Sequence, residues 1–124
     1  MNNDTEKGYL KISVTEAGGT IPIKGALVVI TEYGDDDGES VNVLYSLTTD
    51  ESGYTPTLAL DAPVKSESMM PGAYQPYALY NINVVFDRYY PVESVGVPVF
   101  AGVTSIQPIN LLPLSEKAFI AGTD

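Results

Sequence analysis

Apolar and polar side chains alternate with a period of two along most of this chain, the period of a half-buried β-strand. Leu10, Ile12 and Val14 alternate with Lys11 and Ser13, and Glu16-Ala17-Gly18-Gly19 then turns the chain. Residues 24–33 predict a second strand, with Ala26, Val28 and Ile30 on one face and Leu27 and Val29 on the other. A strand apolar on both faces is central or covered. Gly34-Asp35-Asp36-Asp37-Gly38 is a strong turn signal, and Val41, Val43, Tyr45 and Leu47 alternate after it. The two strands therefore read as a β-hairpin with a long acidic loop. Asp50-Glu51-Ser52-Gly53 turns again, and residues 54–60 predict a shorter strand that Pro56 confines to an edge.

Residues 62–75 lack the alternation, carry Pro63, Pro71 and Gly72, and predict a long irregular loop. Tyr80, Ile82, Val84 and Phe86 then alternate with Asn81, Asn83 and Asp87. Tyr89-Tyr90-Pro91 leads into a short strand over 92–95, and a bend at Ala101-Gly102 precedes a last strand over 103–112. Pro108 predicts a bulge or an edge in that strand. No ten-residue window holds helical spacing without Pro or Gly, so no significant helix is expected. About seven short strands with turns every ~8–12 residues predict an all-β fold, a single two-sheet antiparallel sandwich. The expected organisation is a flexible polar leader over 1–7, the sandwich over 8–114 and a flexible tail over 115–124.

Composition narrows the function more than it narrows the fold. The 124 residues suit one domain, and a chain of this size needs no disulfide or metal staple. With 16 acidic and 6 basic residues the net charge is -10, which disfavours nucleic acid and anionic membranes as partners. The opening residues have no apolar core of a secretory signal, and no apolar run reaches the ~18 residues of a membrane span. A soluble protein is expected, with no membrane insertion.

Several segments resemble the transthyretin-like, or carboxypeptidase regulatory-like, β-sandwich family. They are Gly8 to Val14, Ile21 to Ile30 with its Pro22 and Gly25-Ala26, the turn Thr48-Thr49-Asp50-Glu51-Ser52-Gly53-Tyr54, and Tyr80 to Phe86 followed by Tyr89-Tyr90-Pro91. The usual Gly before the aromatic is absent, and Tyr89 stands there instead. The residues 76–80 and 100–108 resemble, more narrowly, domains that accompany peptidoglycan-associated modules in Gram-positive spore formers. That resemblance implies association with the cell envelope or spore. Read as structure, Gly25 avoids crowding against the facing sheet and Gly53 supplies a positive φ. Tyr80 is expected in the core with its hydroxyl on a backbone group.

Catalytic routes close quickly. His and Cys both number 0, which removes a Ser-His-Asp triad, a thiol nucleophile and an ordinary zinc site. The hydrolase branch of the resembled family relies on His and Arg residues, whereas this chain's single Arg is Arg88. The chain is therefore read as no enzyme and as needing no cofactor. Asp35, Asp36, Asp37 and Glu39, with Glu32 as a further candidate, form a candidate Ca2+ loop, since hard cations take several oxygens from one loop; the competing reading is a solvated hairpin tip. An internal isopeptide bond between Lys11 and Asn110 is weighed and set against the phase of Lys11, which points it to solvent. Tyr74, Tyr77, Tyr89 and Tyr90 are the candidate binding residues, because Tyr offers apolar area and a hydroxyl together. The apolar run 95–103 would invite another chain if it lay at an open edge. The expectation is a non-catalytic accessory or assembly domain that contacts a protein partner or itself. The alternative is a module binding cell-wall glycan (peptidoglycan) through a Tyr-rich corner.

Overall fold

The computed structural model describes residues 5–33, 42–64 and 77–114. Among these residues eight strands form two sheets: β1 (Thr5–Glu16), β2 (Ile21–Pro22), β3 (Leu27–Glu32), β4 (Val43–Thr48), β5 (Leu58–Pro63), β6 (Ala78–Val85), β7 (Val92–Val99) and β8 (Thr104–Asn110). In the first sheet β1 is flanked by β5 and β2 on one side and β8 on the other. The second sheet runs β4-β3-β6-β7. The sandwich and its core follow from the alternation. Leu10, Ile12 and Val14 of β1 meet Val28 and Ile30 of β3 and Ile82 and Val84 of β6 in one cluster, all fully buried.

The strands depart from the sequence expectation in four places. The expected leader over 1–7 is cut short, because β1 begins at Thr5 and pairs with β5 from Thr5↔Pro63 onward. Short polar strand ends look like leader in a sequence, and only a partner strand reveals them. The strand expected over 54–60 lies instead at 58–63, so its last residues fall inside the predicted loop; Tyr54 keeps a single bridge to Ser13. Residues 92–99 form one strand, because the register shift opposite Asn81 absorbs Gly96, whose φ is 74°. Finally, β8 pairs with β1 in parallel over Tyr9↔Thr104 to Thr15↔Asn110, so the sandwich is antiparallel in all pairs but this one. The turn 100–103 carries the chain from one sheet to the other, so no hairpin dictates the direction of β8.

Two signals read as structure behave as expected. Gly53 has φ 81°, and an added Cβ would lie 2.5 Å from the Val14 carbonyl oxygen. Tyr80 is buried, and its hydroxyl donates to the Asp61 carbonyl. Gly25 differs in its reason. A Cβ there would meet only Phe86, at 3.9 Å, and what the site demands is its φ of 84°.

The 48–54 motif closes one end of the sandwich. The buried Thr49 hydroxyl accepts from the Ala26 amide at 3.0 Å and donates to the Ile23 carbonyl at 2.6 Å. The Asp50 carboxylate accepts from the amides of Ser52 at 2.8 Å and Tyr54 at 3.0 Å. Those bonds, that of Tyr54 foremost, hold its pKa below the ordinary value of 3.8.

Candidate functional site

The three candidate tyrosines among the described residues do not share one surface. Tyr77 precedes β6 and Tyr89 and Tyr90 follow it, and an eight-residue strand holds its ends about 26 Å apart. Tyr77 stacks edge-to-face on Phe100, with ring centroids 5.6 Å apart. Tyr89 tilts against Phe86 at 5.5 Å and is half-buried, and a hydrogen bond to Glu16 raises its pKa. Tyr90 is exposed, and its amide donates to the Leu112 carbonyl at 2.9 Å. Tyr74 lies outside the described residues, as do Asp35, Asp36, Asp37 and Glu39. Among the described residues no three His, Cys, Asp or Glu side chains cluster as a metal site. Lys11 sits beside Ile106 in register, its ammonium 4.6 Å from the centre of the Tyr54 ring, whereas Asn110 pairs with Thr15. The two are thus held apart along the β1–β8 ladder.

A different site emerges where β4 and β5 face each other across the open side of the sandwich. A groove of about 240 Å³ is lined by Lys7, Glu32, Leu44, Tyr45, Ala59, Leu60, Asp61 and Tyr80. Lys7 and Asp61 are direct cross-strand neighbours, and their ion pair is 2.6 Å long and more than half exposed. The bond to Asp61 raises the Lys7 pKa, so the ammonium stays charged. The Tyr45 hydroxyl donates to the Ala59 carbonyl at 2.9 Å, and that of Tyr80 to the Asp61 carbonyl. Burial pushes the Tyr80 phenol pKa up, and the charges of Asp61 and Glu32 add to the effect.

Those two tyrosines act on an edge. The backbones of Lys7 and Tyr9 bond toward the β8 side, through Gly102 N to Lys7 O and Tyr9 N to Val103 O, both 2.9 Å. Their neighbours opposite on β5, Ala59 and Asp61, therefore turn their own backbone groups to the free edge of β5. Tyr45 and Tyr80 occupy the two carbonyls exposed there. Edge strands are otherwise protected by charge, proline or bulge. Here β5 ends on Pro63, β7 carries Glu93, Gly96 and Pro98, and β8 carries Pro108.

The β4 edge is different. Its residues Val43-Leu44-Tyr45-Ser46-Leu47-Thr48 include no charge, no Pro and no Gly, and one register shift beside Leu44 is its only irregularity. Among the described residues nothing pairs with its outer side. Thr49 bonds toward β3 through both its amide, to Ala26 O at 3.1 Å, and its carbonyl, from Gly25 N at 3.0 Å. Antiparallel pairing alternates, so Leu47 also bonds inward, and Ser46 and Thr48 direct their N–H and C=O groups outward. The apolar run 95–103, by contrast, places Val97 and Val99 in the core and leaves Val95 exposed on a protected edge. The alternation predicts the β4 strand but not its place at an edge, because alternation alone does not tell an edge strand from a central one; the uninterrupted uncharged run 41–49 is the signal the sequence holds.

No family model and no curated protein matches the chain. Among solved structures the fold is similar to 3-chlorocatechol 1,2-dioxygenase from Rhodococcus opacus 1CP, with a TM-score of 0.54, 13% identity and 90% of this chain covered. It is also similar to chlorocatechol 1,2-dioxygenase from Pseudomonas putida, with a TM-score of 0.52 and 13% identity over 90% of this chain. The chain spans 61% of the length of either enzyme. At this identity the likeness is one of fold. Among the described residues no helix is long and apolar enough to cross a membrane.

Proposed function

We propose that the chain is a non-catalytic, transthyretin-like accessory domain that contacts a protein partner, and that β4 makes the contact by accepting an extended strand. One observation carries the reading: among the described residues, of the four outer positions of the two sheets, β4 alone has no charge, Pro or capping side chain on its edge, and its one register shift, beside Leu44, leaves Ser46 and Thr48 facing outward. Strand addition draws its affinity from main-chain hydrogen bonds and its specificity from alternate side chains. The outward groups of Ser46 and Thr48 supply the first, and the groove beside Leu44 and Tyr45 supplies the second. The absence of His and Cys from the sequence supports the non-catalytic part.

The test uses a neutral, end-blocked eight-residue peptide alternating Val and Thr, with amide exchange followed by NMR. Binding should slow exchange at Ser46 and Thr48. The Ser46→Pro variant should abolish it, because that N–H points away from β3 and its loss spares the ladder. Protection elsewhere with Ser46 and Thr48 unchanged would sink the assignment to β4.

A further inference from the structure

We infer that the segment β4 accepts is basic, an apolar extended stretch of another protein with a Lys or Arg on the face that packs over the groove. The inference rests on the strand-addition reading and adds the chemistry of the occupant. A strand hydrogen-bonded to Ser46 and Thr48 extends the second sheet by one position, about 4.8 Å beyond β4. Every other side chain of that strand then points to the same side as Tyr45 and Leu47, over the groove mouth.

The apolar part of the mouth is Leu44, Ala59 and Leu60, which suits small and β-branched side chains. Its charged part holds two carboxylates, Glu32 and Asp61, against the one ammonium of Lys7. Asp61 engages Lys7 at 2.6 Å, and Glu32 is exposed with no ion-pair partner among the described residues. A cation on the incoming strand meets that carboxylate, and an anion is repelled by it. A second copy of the chain is disfavoured on the same ground. Each copy has a net charge of -10, so two copies repel. The charge that keeps copies of the domain apart attracts a basic segment.

The experiment compares three forms of the Val/Thr peptide: neutral, with one Val replaced by Lys, and with the same Val replaced by Glu. Affinities are read from exchange protection at Ser46 and Thr48. At low salt the Lys form should bind about tenfold more tightly than the Glu form, a spread that one exposed charge pair and one exposed repulsion can produce. Half-molar salt should shrink the ratio to about twofold. Glu32→Gln should reduce the preference at low salt. Equal binding of all three peptides would overturn the charge selection and leave strand addition standing. Binding by none would overturn the strand-addition reading itself. Slow exchange at Ser46 and Thr48 in the free protein at every dilution would place a segment of this same chain on the edge. Slow exchange that appears only on concentration would place a second copy there. Either result refutes a basic partner as the occupant.

Discussion

Gly8→Ala tests how tightly the crossover between the sheets is clamped. Gly8 lies in β1 under the turn that takes the chain from β7 to β8. That turn is tied to β1 on both sides of Gly8, by Gly102 N to Lys7 O and Tyr9 N to Val103 O. A methyl group at Gly8 would fall inside contact distance of the Phe100 carbonyl oxygen and 2.6 Å from Cγ1 of Val99. Gly8 is absent from the positive-φ glycines, so Ala could adopt its conformation. The cost is therefore steric. Overpacking of this kind costs about 1–3 kcal/mol, and the lower unfolded-state entropy of Ala offsets about 0.4–1 kcal/mol of it. The expected net loss is about 1.5 kcal/mol, or a Tm lower by roughly 5 °C for a domain of this size. Urea unfolding followed by far-UV circular dichroism measures it, with an unchanged slope as the control for two-state behaviour. Val99→Ala removes one of the clashing atoms, so the double variant should lose less than the two single losses added. An unchanged or raised midpoint in Gly8→Ala would refute the reasoning, because it would show that the crossover yields freely.

Three further outcomes are expected. Thr49→Val strands the Ala26 amide and the Ile23 carbonyl in a buried place and should cost about 2–3 kcal/mol by the same urea titration, whereas Thr49→Ser should recover most of it. Asp50 has its pKa lowered by the amides of Tyr54 and Ser52, so its contribution is full above the ordinary value of 3.8 and is lost as pH falls through the lower folded value. Asp50→Asn should accordingly flatten the acid limb of the stability profile, and an unchanged limb would count against that role. Arg88 holds φ 72°, a left-handed conformation that costs a non-glycine residue about 1 kcal/mol, so Arg88→Gly should raise stability by about 0.5–1 kcal/mol in thermal unfolding.

The motif residues show where local reasoning reaches. Asp50 bonds to Ser52, Gly53 and Tyr54 within four positions, so the sequence already carries the turn, whereas Thr49 bonds to Ile23 and Ala26 more than twenty positions away and ties that turn into the fold. Arg88 shows its limit. The missing glycine of that turn was visible in the sequence, yet only the backbone shows that Arg88 takes the left-handed conformation.

The sequence by itself determined the all-β class, the approximate strands and the inward faces, because a period of two assigns each side chain to one face of its strand. It also determined the acidity and the absence of His and Cys. Tertiary structure alone decided which strands became edges, because pairing joins residues such as Lys7 and Asp61 that lie far apart in the chain. It decided that Tyr45 and Tyr80 reach the open edge of β5, and that Tyr77 stands a strand's length from Tyr89 and Tyr90. It left β4, whose alternation looks like that of any other strand, as an edge with no charge, Pro or partner strand among the described residues. Whether a strand's outer hydrogen bonds are filled depends on its neighbour across the sheet, which the order of residues along that strand does not encode.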